Sequence, residues 1–197
     1  MTEKLYDIDS HQVEFTATVV DSYETDKGYV TVLDRTAFFP EGGGQLSDIG
    51  TIEDATVSDV QIKDEVIYHY TSRLFVSGEA VKGVIDWNRR FDFMQQHSGE
   101  HIVSGVAHKL FGCENVGFHL STDIVTLDFD KPLNHQQILE IEKLANEAVF
   151  ANSTFFTYYP DKETLSNLVY RSKKEIDGAV RIVEIEGVDA CACCAPH

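Results

Sequence analysis

The chain has 197 residues, of which 43% are hydrophobic and 25% are charged, a composition typical of an ordinary globular protein. No apolar run approaches the roughly 20 residues that a membrane-spanning helix needs, and the polar, acidic N-terminus is unlike a signal peptide, so we expect a cytoplasmic protein. With 33 acidic against 16 basic residues, the formal net charge is −17. This charge argues against broad, nonspecific binding of nucleic acid but leaves room for a local basic patch.

The order of predicted elements indicates an α+β fold. Short apolar segments separated by turn residues lie between residues 12 and 87 and predict a small barrel or sandwich. Near Trp87 the apolar period changes to that of a helix, predicted over 89–110, with Gly112 placed to end it. The later elements are predicted as a strand at 124–129, a helix at 136–150 and strands at 155–159 and 180–185. We therefore place a domain boundary after residue 87, giving domains 1–87 and 88–197.

Two pairs of ligand-type residues share a four-residue spacing. His97 and His101 stand one helical turn apart, so their imidazoles project from one face of the predicted helix. Cys193 and His197 repeat the spacing in a segment that Pro196 makes a turn rather than a regular helix. Thiolate sulfur and imidazole nitrogen are ligands that Zn²⁺ favours, so the four residues predict one zinc site.

Two other cysteines and one glutamate lie beside these ligands in the sequence. Cys191 and Cys194 are too close to Cys193 for easy disulfide geometry, which favours metal ligation or reactive thiols for the cluster. Only Cys193 keeps the four-residue spacing to His197, so we expect it to supply the single sulfur ligand. We expect Glu100 to point to a different face from the histidines, as a solvated carboxylate rather than a general base.

A glycine-rich segment, Pro40-Glu41-Gly42-Gly43-Gly44-Gln45, is followed by Asp48 and Gly50. Consecutive glycines permit positive φ and a close approach of the backbone to a ligand, although a plain flexible turn is the alternative. The segment lacks the lysine and spacing of a phosphate-binding P-loop, so we do not expect nucleotide hydrolysis.

These three motifs together resemble the editing module of alanyl-tRNA synthetase, and still more closely its free-standing relatives, the AlaX proteins. The stretches 86–90, 94–101 and 117–120 look like the longer bacterial AlaX type. That type carries a further C-terminal domain, so we expect the whole protein to continue beyond residue 197. Two departures are Ala195-Pro196, where the family commonly has Gly-Thr, and Gly117-Phe118-His119, where synthetase editing sites often carry a glutamine.

The resemblance implies an N-terminal β-barrel bearing the glycine-rich motif, then an α+β editing domain that holds Zn²⁺ with helices on a mostly antiparallel sheet. It implies a zinc-dependent aminoacyl-tRNA deacylase that hydrolyses Ser-tRNA(Ala), with Gly-tRNA(Ala) as a second substrate. Candidate contacts to the tRNA 3′ end are Gly42, Gly43, Gly44 and Gln45. Candidates for reading the serine hydroxyl are His119, Ser121 and Thr122. Candidate phosphate contacts are Arg89, Arg90, Arg171, Lys173 and Lys174.

Three other functions are compatible with the zinc ligands. One is a different zinc hydrolase of a small ester or amide, although Ser98 stands where a His-Glu-x-x-His enzyme has its glutamate. A second is a noncatalytic zinc-stabilised binding module. A third is editing of the threonyl-tRNA synthetase type, which has similar ligand spacing. The sequence does not indicate an oligomeric state.

Overall fold

The computed structural model describes residues 1–26, 28–121, 124–172 and 178–197. The chain divides into two compact units, one of residues 1–94 with Pro196 and one of residues 95–195 with His197. Most strand pairs are antiparallel and the helices are few, which confirms the predicted α+β class. In the part of the chain described, no helix has the length and apolar character needed to cross a membrane.

The first unit is built mainly from strands. Six of them pair around a closed ring, in the order β2-β3-β7-β6-β5-β8, and form an antiparallel barrel. The two remaining strands, β1 and β4, pair in parallel. A short 3₁₀ helix, Leu5–Asp7, follows β1. The strands are β1 Glu3–Lys4, β2 Glu14–Thr25, β3 Gly28–Leu33, β4 Arg35–Thr36, β5 Gly50–Ile52, β6 Ala55–Lys63, β7 Val66–Thr71 and β8 Ala80–Ile85.

The glycine-rich segment forms a tight turn in this unit. Gly42 and Gln45 exchange two backbone hydrogen bonds of 3.0 Å, and the two residues between them have φ of 62° and 85°. Two consecutive positive φ angles are the signature of a type I′ hairpin turn, which explains glycine at positions 43 and 44. The Gln45 side chain is buried, whereas Gly43 and Gly44 are exposed.

A fully buried ion pair joins Asp48 to Arg90. The Arg90 guanidinium also donates to the carbonyl oxygens of Ser10 (2.9 Å) and Ala37 (2.6 Å), and the Asp48 carboxylate accepts the backbone N–H of Phe39 (2.6 Å). Arg90 is 0% exposed, so it has no surface to offer a phosphate. The prediction that Arg90 contacts tRNA is therefore wrong. Its role is to compensate a buried carboxylate, because a buried charge without a partner is strongly destabilising.

The second unit combines helices with two small antiparallel sheets, β9-β10 and β11-β12-β13. The helices of the chain are α1 Trp87–Phe111, α2 His135–Phe150 and α3 Lys162–Asn167. The strands of this unit are β9 Asn115–Leu120, β10 Val125–Phe129, β11 Phe155–Tyr158, β12 Ile182–Ile185 and β13 Asp189–Ala192. Its buried apolar residues include Ile102, Val106, Ala107, Ile141, Ala145 and Ile185.

The helix ends follow from local sequence. Gly112 has φ of 59° and its N–H bonds to the carbonyl of His108, so it ends α1 as predicted. Asn134 and Gln137 form a capping box that begins α2. Both helices are thus held at a defined end, and α1 carries the two predicted histidine ligands.

His69 predicts a pH dependence for the stability of the barrel. Its Nδ1 lies 3.0 Å from the carbonyl oxygen of Thr31 and its Nε2 2.9 Å from the Thr36 hydroxyl, and burial lowers its pKa to about 4. In the unfolded chain His69 takes up a proton below pH about 6.5, whereas in the folded chain it does so only near pH 4. The free energy of unfolding should therefore fall as pH drops from about 6.5 to about 4, by about 3 kcal/mol from this residue.

Chemical denaturation of the wild type, His69→Gln and His11→Gln at pH 7, 5.5 and 4.5 measures this effect. We expect His69→Gln to show a shallower loss of stability than the wild type over this window. Exposed His11 serves as the matched control and should leave the slope unchanged. Equal slopes for the wild type and His69→Gln would contradict the assignment.

Candidate metal centre

One face of α1 carries a row of buried polar side chains. His97, Glu100, His101 and Ser104 are all buried, and their positions i, i+3, i+4 and i+7 coincide on one helical face. The prediction that Glu100 points away as a solvated carboxylate is therefore wrong, because a spacing of three from His97 keeps it on the same side. Its Oε1 accepts hydrogen bonds from the Ser104 hydroxyl (2.7 Å) and the Asn115 amide (2.6 Å).

The second pair of ligand-type residues follows β13 and is held by Arg181. The Arg181 Nη1 donates to the carbonyl oxygens of Cys193 (3.0 Å) and Ala195 (2.9 Å), and the Cys193 N–H donates to the Arg181 carbonyl (3.1 Å). The buried Ala195 also directs its N–H at the Cys193 sulfur, at 3.5 Å. This segment therefore presents Cys193 in a fixed direction without the Gly-Thr of the related motif.

The structure brings together the four predicted ligands, His97, His101, Cys193 and His197. One donor atom from each lies within 4.8 Å of all the others, a grouping that could hold a metal ion. The Cys193 sulfur lies 3.6 Å from His97 Nε2. Burial raises the pKa of the Cys193 thiol to about 12 and lowers that of His197 well below its ordinary value. Burial thus favours the uncharged form of both donors, and a bound cation would displace the thiol proton.

Contacts around the cluster orient its rings. The Ser98 hydroxyl lies 3.0 Å from His197 Nδ1, and an Asp189 carboxylate oxygen lies 3.2 Å from His101 Nδ1. The Phe118 ring centroid lies 4.8 Å from that of His97, and Phe155 stacks on His197 at 5.8 Å. His197, although last in the chain, is therefore held by a hydroxyl and an aromatic ring.

The other cysteines lie outside this four-residue group. Cys194 is exposed, whereas Cys191 is buried on the same face of β13 as Asp189. A second grouping of possible donors, His101, Asp189 and Cys191, shares His101 with the first. In the second grouping, Asp189 faces Nδ1 of His101.

Two of the residues predicted to read the serine hydroxyl, His119 and Ser121, are exposed and contact other groups. Strand alternation places Phe118 against His97 and turns His119 to the opposite face, where its side chain is 74% exposed and lies 3.6 Å from Asp128. Ser121 is exposed and its hydroxyl donates to the Ile124 carbonyl at 2.7 Å. Thr122 lies outside the described residues. Gly42 to Gln45 belong to the first unit, whereas all four ligands belong to the second.

The basic residues predicted to contact phosphate differ in burial. Arg171 is buried and pairs with Asp189, so the expectation that it contacts phosphate is wrong. Arg89 is partly exposed, with its guanidinium 4.5 Å from the Phe93 ring centroid and its Nε donating to the Ser47 carbonyl. Lys173 and Lys174 lie outside the described residues. Arg89 is thus the arginine of this set with surface available to a phosphate.

Comparison with known proteins identifies relatives over nearly the whole chain. A family model described as class II tRNA synthetases (A) matches residues 6–89. The alanine–tRNA ligase of Methanococcus maripaludis is 35% identical over 206 residues, covering 100% of this chain and 23% of the ligase. The ligase of Ignicoccus hospitalis is 34% identical over 208 residues, with the same coverage. The alanyl-tRNA editing protein Aarsd1 of Rattus norvegicus is 34% identical over 206 residues, covering 96% of this chain and 50% of the relative. The chain thus spans about a quarter to a half of the length of these curated relatives.

The assignment of Cys193 as the single sulfur ligand predicts the outcome of three substitutions. Cys193→Ser should weaken binding of Zn²⁺ roughly 100- to 1,000-fold, with Co²⁺ as the spectroscopic probe, because one of four donors carries about a quarter of a zinc-binding free energy near 10–16 kcal/mol. Cys191→Ser and Cys194→Ser are the matched controls and should keep the wild-type affinity and one-thiolate absorption band. Loss of a thiolate band in either control would contradict the assignment of Cys193 as the single sulfur ligand.

Proposed function

We propose that this chain, which belongs to the alanyl-tRNA synthetase editing-domain family, hydrolyses the ester bond of tRNA(Ala) charged with the wrong amino acid. Serine is the preferred misacylated residue and glycine the second. The observation that carries the proposal is the convergence of His97, His101, Cys193 and His197 into one group of donors, in a chain related to alanyl-tRNA editing proteins. The cytoplasmic location expected from the sequence belongs to the same proposal.

Zinc is the metal that this donor set fits best. Imidazole nitrogen and thiolate sulfur are donors that Zn²⁺ favours in four-coordinate sites. The donor atoms of the four residues lie within 4.8 Å of one another, so one ion could be shared among them. Bound zinc supplies Lewis-acid polarisation and lowers the pKa of water to about 7.

The protein residues around the cluster then have separate tasks. His97, His101 and Cys193 would hold the metal. His197 would be the ligand able to leave a position open, as a catalytic zinc site requires. The Ser98 hydroxyl, 3.0 Å from Nδ1 of His197, orients that ring. Phe118 and Phe155 flank the histidines with apolar surface.

Binding of tRNA must overcome the strongly acidic balance of the chain. With a net charge of −17, the surface repels a polyanion, and Arg90 and Arg171 are engaged in buried ion pairs. We assign a phosphate contact to Arg89 and contact with the tRNA 3′ end to the turn at Gly42–Gly44. With so few cations, binding by this chain is weak and salt-sensitive.

One alternative function has an observation in its favour. Four protein donors in one group are the usual arrangement of a structural zinc site, as expected of a noncatalytic zinc-stabilised module. Another zinc hydrolase, acting on a small ester or amide, has the same ligands but no requirement for tRNA. Substrate assays separate these possibilities.

The first test is deacylation of Ser-, Gly- and Ala-charged tRNA(Ala) with and without a chelator. We expect hydrolysis of Ser-tRNA(Ala) on the order of a hundredfold or more faster than of Ala-tRNA(Ala), because a site that hydrogen-bonds a hydroxyl rejects the analogue lacking it. Chelation should abolish the activity and added zinc restore it. Retained zinc without deacylation of any charged tRNA would favour the noncatalytic module, and hydrolysis of small esters alone would favour the other hydrolase.

The second test separates turn geometry from tRNA contact at Gly43. Asparagine tolerates positive φ, so Gly43→Asn keeps the turn while adding a side chain, whereas Gly43→Val also strains the backbone. We expect Gly43→Asn to reduce kcat/KM for charged tRNA roughly ten- to a hundredfold, with zinc content and Tm unchanged. Normal activity in Gly43→Asn together with a lowered Tm in Gly43→Val would contradict a contact with tRNA. The glycines would then serve only to form the turn.

A further inference from the structure

A buried ion pair lies directly behind His101. The Arg171 guanidinium holds both carboxylate oxygens of Asp189, with Nε to Oδ1 and Nη2 to Oδ2 each at 2.7 Å. The same Oδ2 lies 3.2 Å from Nδ1 of His101. All three side chains are buried, so the contacts are shielded from competing water. Arginine, carboxylate and imidazole thus form a continuous chain that ends at a proposed metal ligand.

The backbone fixes this pair in place. The Arg171 N–H donates to the Ala190 carbonyl (2.8 Å), and the Ala192 N–H donates to the Arg171 carbonyl (2.9 Å), so Arg171 is hydrogen-bonded alongside β13. The Arg171 guanidinium donates to both oxygens of Asp189, a pairing that favours the ionised carboxylate. An ionised carboxylate only accepts hydrogen bonds.

Gly105 allows the carboxylate to reach the helix. It lies one turn after His101 on α1, and a side chain there would bring its Cβ within 2.6 Å of Asp189 Cβ and 2.7 Å of the Val188 carbonyl oxygen. Those distances are too short for any real contact, so residues 188–189 can lie against α1 only because position 105 is glycine.

We propose that Asp189, held by Arg171, is a positioning residue that fixes the tautomer of His101. An acceptor at Nδ1 requires the ring to carry its hydrogen there, which leaves the Nε2 lone pair for the metal. Arg171 occupies the other lone pairs of the carboxylate and stops it from turning away. This role rests on the proposed zinc site and adds residues that the ligand spacing alone does not reveal.

Asp189→Asn gives a specific prediction because Arg171 can only donate. The asparagine oxygen is drawn to Arg171, so its NH₂ group turns toward His101 and requires an acceptor at Nδ1. The hydrogen of the ring then moves to Nε2, where it blocks ligation. We expect zinc affinity to fall 10- to 100-fold, measured by competition with a chromophoric chelator on protein shown to be folded by circular dichroism.

The double variant Arg171→Met, Asp189→Asn separates positioning from simple damage to the fold. Without Arg171, the asparagine oxygen is released to accept from Nδ1 of His101, so the double variant should bind zinc several-fold more tightly than Asp189→Asn alone. If Arg171 and Asp189 only stabilised the fold, the double variant would bind zinc more weakly than Asp189→Asn, or with the same affinity. Asp128→Asn, which alters an exposed carboxylate beside His119, is the matched control and should bind like the wild type.

The outcomes distinguish this role from the proposed function. A wild-type chain that binds zinc, together with an Asp189→Asn variant of equal affinity, overturns the positioning role alone. A double variant that binds no better than Asp189→Asn also overturns it. A folded wild-type chain that binds no zinc overturns the proposed zinc site and this role together.

Discussion

The grouping of the candidate metal ligands depends on the close approach of residues 188–189 to α1 at Gly105. At that point the Val188 carbonyl and the Asp189 side chain occupy the space where any other residue would carry its Cβ. Asp189 opens β13, which runs directly into the segment that bears Cys193 and His197. This approach therefore sets where the sulfur lies relative to His97 and His101. Ligands almost a hundred residues apart in sequence meet because one helix position has no side chain.

Internal contacts engage three buried arginines of this acidic protein. Arg90 compensates Asp48 in the first unit, and Arg171 compensates Asp189 in the second. A third arginine, Arg181, bonds the carbonyl groups on either side of Cys194 and so shapes the ligand segment. Each contact satisfies buried groups that would otherwise cost free energy. These three guanidinium groups therefore offer almost no surface to a polyanion.

The elements with strong periodicity were predictable from the sequence. The helix expected at 89–110 is α1, Trp87–Phe111, and that expected at 136–150 is α2, His135–Phe150. The short strands β9 and β13 were not predicted, because four to six residues with a glycine or alternating alanines carry little periodic signal. The four-residue spacing, which occurs twice, was enough to predict that these four side chains come together.

The residues that contact the candidate ligands could not be predicted from the ligand spacing. Asp189 and Arg171 act through a tertiary contact, and nothing local to either residue marks it. The burial of Glu100 could have been predicted from the sequence, since a spacing of i+3 from His97 places it on the same helical face as the ligands. Arg90 and Arg171 were taken for phosphate contacts because charge in a sequence does not reveal burial.

X-ray absorption at the zinc edge of the purified wild-type protein tests the central claim most directly. The account predicts a first shell of one sulfur near 2.3 Å and three nitrogen or oxygen atoms near 2.0–2.1 Å, with the outer-shell scattering of imidazole rings. Two or more sulfurs, or none, would contradict the assignment of His97, His101, Cys193 and His197 as the metal centre.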